Sequence, residues 1–464
     1  MTPSDPALMT AEDLLALYAR RALSPVEALK AVMERVARLN PWVNAFAALN
    51  PRAIQQAGES EARWMAGRPI GVLDGVPCTV KDLLNLAGFP TRRGSRATDA
   101  TPATEDAPAV MGLKREGAVI LGKTTTTEFG WKTPGDCPLH GITRNPWNRE
   151  RTPGGSSSGA GAAAAASFGP LHIGTDAGGS IRIPAAYCGV VGVKPSFGRV
   201  PQWPLGAFAN VAVAGPMARS VRDSALMLNA MARRDLRDPF CLPAESRDWL
   251  DGIEAGVSGM RVAVVRRQGF EAPLDREGME ALDGAARAFE SQGAIVEEAE
   301  PDLPDIRAVF GRVWGVALAR LVATLPKERH ALLDPGILEV AERESRMSAA
   351  DFLGADALRI EAAHAMARFH QRFDLLLTPC TPTAAFGADQ PTLQPQMALW
   401  RDWAPWTFLF NLSRQPAISV PVGLDSEGMP RAVQVAAALY RDDLAFRGAR
   451  ALELGVRHPN APDL

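Results

Sequence analysis

The 464-residue sequence predicts an α/β protein with a large, mostly buried sheet flanked by helices. Three observations carry that expectation. The chain is 47% hydrophobic and 22% charged, an ordinary globular balance with ample material for a large core. Short apolar runs of strand length alternate with segments whose apolar residues recur at helical spacing. Residues 260–300 read as a complete β-α-β unit. Its parts are "MRVAVV" as a strand, "DREGMEALDGAARAFESQG" as an amphipathic helix ending at Gly293, and "AIVEEAE" as the next strand.

Taken in order, residues 10–65 read as helices. Thr10 with Asp13 makes a capping-box start, and Leu14, Leu17 and Tyr18 repeat at helical spacing. "SPVEALKAVMERVARLN" opens a second helix, with Ser24 as N-cap, Pro25 at the first position and Glu27 closing the box. From about residue 70 short strands and glycine-rich turns take over, "GVPCTVKD" and "AVILGKT" among the strands. Glycine is dense through residues 154–198 but interleaved with Ile, Val and Arg, which a flexible linker would not carry. Later a long helix places Leu358, Ala362, Met366, Phe369 and Phe373 on one stripe and leads into "DLLLTPC". "AISVPVGL" and "RAVQVAAAL" are two further core strands, and a closing helix runs from about Asp442 to Val456.

The bulk properties exclude several classes. A net charge of −2, a pI near 6.4 and the lack of like-charge runs argue against nucleic acid as a partner. Five cysteines (Cys78, Cys137, Cys188, Cys241 and Cys380) with no C-x-x-C point to reduced thiols and a cytoplasmic setting. The N-terminal residues do not pattern as a signal peptide, and no apolar stretch approaches roughly 18 residues, so no membrane association is expected. Glu361-x-x-His364 occurs once where a two-metal bundle site needs two such pairs, so neither metal nor cofactor is expected.

The tract "PGGSSSGAGAAAAAS" (153–167) admits three chemical readings. Gly159-Ala160-Gly161-Ala162-Ala163-Ala164 matches a dinucleotide fingerprint, and Gly155-Ser156-Ser157-Ser158-Gly159 matches a nucleophile elbow centred on Ser157. Both need an apolar strand immediately before them, and "TRNPWNRERTPGG" is polar with two prolines. A Ser-His-Asp hydrolase would also need a histidine on a loop, whereas His364 and His370 both fall on the long helix. The third reading makes the serines auxiliary to a nucleophile elsewhere. "GTDAGGSIRIPA" (174–185) places Ser180 after two glycines, whose N–H groups can bend round a developing oxyanion. "GVPCTVKD" places Lys81 at the end of a buried strand, where desolvation favours the neutral amine, a form that can accept a proton.

Together "GVPCTVKDLLNLAG", "TRNPWN…TPGGSSSGAGAAAA", "GTDAGGSIRIPAAYCGVVGVKPSFGRVP" and "VAGPMARSVRD" resemble the amidase signature family, in order and over roughly residues 66–225. The likeness continues more weakly through "DLLLTPCTPT" and "FNLSRQPAISVPVGL". The resemblance implies one domain over 1–464, built on a large twisted mixed sheet with helices on both sides. Within it, 1–65 would be a helical segment, 66–225 the signature core, and 226–464 the part that completes the sheet and substrate pocket. It also implies a Ser–cisSer–Lys triad of Ser180, Ser156 and Lys81, with a cis peptide bond between Gly155 and Ser156. The N–H groups of Ala177, Gly178, Gly179 and Ser180 would form the oxyanion hole, supported by Ser157, Asp176 and Arg182. Ser158 stands where the family usually has glycine, and Cys137 where it often has Asn.

The implied activity is hydrolysis of a small-molecule amide without a cofactor, with ester or carbamate cleavage within the family's range. Some members are the A-type subunits of glutamine-dependent tRNA amidotransferases, which carry an aspartate where an ungapped count reaches Ala404. That difference favours a stand-alone amidase, and a homodimer is left open. Trp131, Trp203, Phe208, Trp400, Trp403 and Trp406 fall in segments that border the pocket in the family. Jointly they predict a bulky, apolar or aryl substrate.

Overall fold

The computed structural model describes residues 5–268, 273–394, 397, 400–456, 461–462 and 464, except for the side chains of Trp400 and Arg401. Among these residues thirteen strands form in chain order. They are β1 Phe46–Leu49, β2 Pro77–Lys81, β3 Val119–Thr124, β4 Asp136–Cys137, β5 Gly141–Ile142, β6 Leu171–Asp176, β7 Val191–Lys194, β8 Val213–Ala218, β9 Arg261–Val264, β10 Ile295–Glu298, β11 Leu375–Pro379, β12 Ala417–Leu424 and β13 Pro430–Ala437. Eleven of them make one sheet in the order β1-β3-β2-β6-β8-β7-β12-β13-β11-β9-β10, and β4 pairs only with β5. The sheet is mixed. β3-β2-β6 and β11-β9-β10 are parallel runs, and every other neighbouring pair is antiparallel.

Strand alternation sorts side chains onto the two faces. Val262, Val264, Leu375 and Leu377 join one core cluster. Their chain neighbours Ala263, Val265 and Leu376 join another, built with Phe310, Met366, Trp403 and Phe408. The expected helix starts hold. Thr10 with Asp13, and Ser24 with Glu27, each form a reciprocal capping box. The β-α-β unit is also present, as β9, the helix Arg276–Ser291 and β10, with β9 and β10 parallel.

Two details differ from expectation. β1 interrupts the N-terminal helices, a four-residue edge strand in which only Phe46 is buried, too short to show a period. On the helix Ala349–Phe369 the buried positions include Ala355, Arg359, Ala362, Met366 and Phe369. Leu358 faces solvent instead. The stripe passes one residue further along because the arginine is accommodated there. Arg359 reaches Asp356 at 2.6 Å and the Leu412 carbonyl at 3.3 Å.

Candidate active site

The site lies at the C-terminal ends of neighbouring parallel strands, the place where α/β sheets commonly present ligand-binding residues. β2 is buried throughout and ends at Lys81. β6, its neighbour, is equally buried and ends at Thr175 and Asp176. Lys81 Nζ therefore meets Thr175 Oγ1 at 2.9 Å. From the other side it lies 2.8 Å from both Ser156 Oγ and Ser157 Oγ. Lys81 is fully buried. Burial pushes its amine well below the ordinary lysine range, and Asp176 opposes the shift.

The tract that carries these serines is neither linker, elbow nor dinucleotide loop. No strand precedes it, and the alanines form the buried helix Ser158–Ala165. The Gly155–Ser156 peptide bond is cis. Ser157 is fixed by its own contacts. Its N–H donates to the Ser180 carbonyl at 3.1 Å. Its hydroxyl accepts from the Thr175 N–H and donates to the Thr175 carbonyl, both at 3.2 Å. No histidine is among these partners, and the elbow reading based on Ser157 fails for that reason. His172 is held instead by Thr79 and the Gly169 carbonyl, and burial pushes its pKa down to about 3. Glu361 and His364 are both exposed on their helix.

Beyond β6 the chain turns sharply through Ala177–Ser180 and enters the helix Arg182–Cys188. Asp176 organises this turn. Its carboxylate accepts from the N–H of Gly179 at 2.8 Å and of Ile181 at 3.1 Å. It also accepts a forked pair from Arg182 Nε and Nη2 at 3.0 and 2.9 Å, and Asn411 Nδ2 at 2.9 Å. Arg182 and these hydrogen bonds hold the Asp176 carboxyl far below the usual carboxylate range despite burial. The remaining Arg182 donors reach the Thr407 carbonyl, Gln434 Oε1 and Asn411 Oδ1 at 2.7–2.9 Å. Thr407 Oγ1 in turn donates to the Gly178 carbonyl at 2.6 Å. The sequence does not single out Thr407, Asn411 or Gln434. A polar residue in an apolar strand, such as Gln434 in "RAVQVAAAL", is the available signal.

The Asp176 contacts bear on the expected oxyanion hole. The Gly179 N–H is committed to the carboxylate, whereas those of Ala177, Gly178 and Ser180 have no acceptor among the described residues. Gly179 has φ +125°, and a Cβ there would fall 2.2 Å from Thr407 Oγ1, so the turn admits only glycine.

Ser156, Thr175, Ala177 and Ser180 border one cleft of about 670 Å³, partly open to solvent. Its walls are apolar, with Leu83, Leu84, Phe129, Phe208, Ala212 and Leu321, and its polar edge holds Arg93 and Gln202. Phe208, backed by Trp314 in a stack at 3.9 Å, is the one expected aromatic among the described side chains that lines it. The others need correction. Trp403 is fully buried against Phe386, and Trp406 is fully buried with its indole N–H on the Pro273 carbonyl. Trp131 packs into the core against Gly336. Trp203 donates to Glu105 at the surface, and its successor Pro204 lines the cleft in its place. The side chain of Trp400 lies outside the described residues. These misplacements share one cause: a tryptophan's large apolar area is buried equally well by core or cleft, and spacing alone does not distinguish them.

Comparison with known proteins agrees with this geometry. The Amidase family profile matches residues 27–445. An acylamidase of Rhodococcus erythropolis is 35% identical over 461 residues, covering 98% of this chain and 96% of that protein. The A-type subunit of the glutamyl-tRNA(Gln) amidotransferase of Geobacter metallireducens is 31% identical, covering 96% of each. The crystal structure of a bacterial aryl acylamidase of the amidase signature family superposes with a TM-score of 0.89 at 28% identity, covering 97% of this chain and 96% of that one. With a family match over most of its length, the chain belongs to the amidase signature family and is a hydrolase of amide C–N bonds.

Proposed function

We propose that this amidase works through an acyl-enzyme on Ser180, with Ser156 relaying protons and Lys81 as the general base. The hydrogen-bond pattern at Lys81 carries the reading. Because the Ser157 hydroxyl proton is directed at the Thr175 carbonyl, Ser157 Oγ is an acceptor towards Lys81. A neutral amine has two N–H bonds, one for Ser157 Oγ and one shared by Thr175 Oγ1 at 2.9 Å and the Thr175 carbonyl at 3.3 Å. Its lone pair then remains for the Ser156 hydroxyl 2.8 Å away. In this mechanism Ser180 Oγ attacks the amide carbon and passes its proton to Ser156, whose own proton moves to Lys81. The N–H groups of Ala177, Gly178 and Ser180 hold the oxyanion, each worth a few kcal/mol when well aimed. The proton returns through Ser156 to the leaving nitrogen, which departs as a neutral amine. Water then repeats the cycle on the ester. Asp176 and Arg182 keep the turn in shape.

The apolar walls and Phe208 favour a bulky or aryl amide, with aryl esters and carbamates as further candidates. The acylamidase relatives support the same substrate class. The chain is proposed to act alone as one domain in the cytoplasm; no helix among its described residues is long and apolar enough to cross a membrane. The test is labelling with a fluorophosphonate, mapped by peptide analysis, alongside kcat/KM for an anilide, an aliphatic amide and glutamine. Label on Ser180 and preference for the anilide are expected. Label on Ser157 would overturn the mechanism, and preference for glutamine, or dependence on added partner chains, would favour the amidotransferase reading.

A further inference from the structure

The cleft holds one charged residue among those lining it, and the mechanism has no use for it. Arg93 lines the cleft together with Ser156 and Ser180, and among the described residues no Asp or Glu lines it. The acidic group nearest in electrostatic effect is Asp82, which stabilises the guanidinium against desolvation. Asp82 is ion-paired through Oδ1 with the buried Lys123 at 2.7 Å, and its Oδ2 has no hydrogen bond to Arg93 or to any other described residue. Among the described residues Arg93 has no side-chain hydrogen bond and no ion pair of its own. A half-buried guanidinium without a carboxylate is costly, and such groups ordinarily have an anionic partner.

The backbone shows that this position is built. Arg93 takes a left-handed conformation, φ +55°, which non-glycine residues rarely adopt. Its N–H donates to the Asp82 carbonyl at 3.1 Å, and its carbonyl accepts from the Phe129 N–H at 2.8 Å. Asp82 directly follows Lys81, and Phe129 is a wall of the cleft. The arginine is thus tied on one side to the strand that carries Lys81 and on the other to the apolar wall. Only its side chain is left free to meet a ligand.

We infer that Arg93 is a specificity-determining residue that binds a carboxylate on the substrate, so that this enzyme prefers amides combining an apolar or aryl portion with a carboxylate. The fork of a guanidinium matches the two carboxylate oxygens, and the low-dielectric walls strengthen the contact. This inference rests on the Ser180 acyl-enzyme reading and refines its substrate class.

The test compares matched substrates: 4-acetamidobenzoate with 4-acetamidobenzamide, where the charge is on the leaving amine, and succinanilate with its terminal amide, where it is on the acyl part. Wild-type kcat/KM should favour the carboxylate in at least one pair. Arg93→Ala should lower that carboxylate-to-amide ratio by about 10- to 100-fold, the worth of a charge-assisted hydrogen bond. Arg93→Lys should restore part of it. A wild-type ratio at or below one in both pairs, or a ratio that Arg93→Ala leaves unchanged, overturns the inference. If Arg93→Ala does not fold, protection of wild-type Ser180 from the fluorophosphonate decides: benzoate must outcompete benzamide, and equal protection refutes it. Failure of the acyl-enzyme reading is distinct, since it would appear as absence of label on Ser180 whatever the substrate charge.

Discussion

Replacing Lys81 by Met separates chemistry from folding, because methionine matches the length of lysine but has no amine. Three hydroxyls lose a neighbour: Ser156, Ser157 and Thr175. Ser157 keeps its two bonds to the Thr175 backbone, and Ser156 borders the open cleft. Thr175 Oγ1 loses its amine partner at the edge of the same cleft, a cost of at most about 1–3 kcal/mol, partly offset because no buried amine must be desolvated. The urea midpoint should therefore shift modestly. The rate should not: loss of a general base lowers kcat by about a hundred- to ten-thousand-fold. Anilide hydrolysis followed by amine release, with unfolding measured on the same preparation, gives both numbers. Wild-type activity should rise with pH as Lys81 loses its proton, and Lys81→Met should abolish that limb. Stability follows the same linkage. Lys81 titrates lower in the folded protein than in the unfolded chain, so between those two pKa values the unfolded chain binds the extra proton. Stability from this group rises with pH across that window and levels off above the unfolded lysine value. Retention of more than a tenth of wild-type kcat in a folded Lys81→Met protein would refute the assignment of the base.

Other substitutions probe the surrounding structure. Gly179→Ala should slow fluorophosphonate labelling of Ser180 by at least about 100-fold, since its Cβ collides with Thr407 and misplaces the oxyanion donors; near-normal labelling would show that the turn yields. Arg182→Leu leaves the Asp176 carboxylate buried without its cation and should cost about 3–5 kcal/mol in urea denaturation. Phe208→Ala should raise KM for an anilide more than for an aliphatic amide. Trp403→Ala should instead lower stability by about 3–5 kcal/mol and leave that preference in place, the reverse of what a cleft-lining tryptophan would do.

How much of this is legible in the sequence depends on how local each signal is. Capping boxes, the β-α-β unit and the strand ending at Lys81 are written in consecutive residues, and they form as read; the strand ending at Asp176 lies in the glycine-dense stretch and is not marked there. Lys81, Ser156 and Ser180 can be grouped because ordered motifs name them; Ser156 and Ser180 border one cleft, and Lys81 lies buried behind Ser156 at 2.8 Å. Partners that act across long separations leave little trace. Thr407, Asn411 and Gln434 contact Arg182 from 225 to 252 residues away. The glycine-rich turn suggests four oxyanion donors because glycines are permissive; which N–H a carboxylate takes depends on the fold of the turn. Arg93 sits in "PTRRGSR" among other arginines, and nothing in that run says which of them faces the cleft.

The strand order has a consequence for how the enzyme is made. β12 and β13 are the last two strands in order among the described residues, yet they lie in the middle of the sheet, between β7 and β11. A ribosome that has translated 225 residues has already produced Lys81, Ser156 and Ser180, but the growing polypeptide still has β7 as a bare sheet edge. Arg182 at that stage also lacks Thr407, Asn411 and Gln434. The polar cluster around Arg182 is thus incomplete until these distant residues have been made. Fragments that end before residue 437 should be inactive and aggregation-prone, because the strand pair that fills the gap between β7 and β11 is incomplete in them.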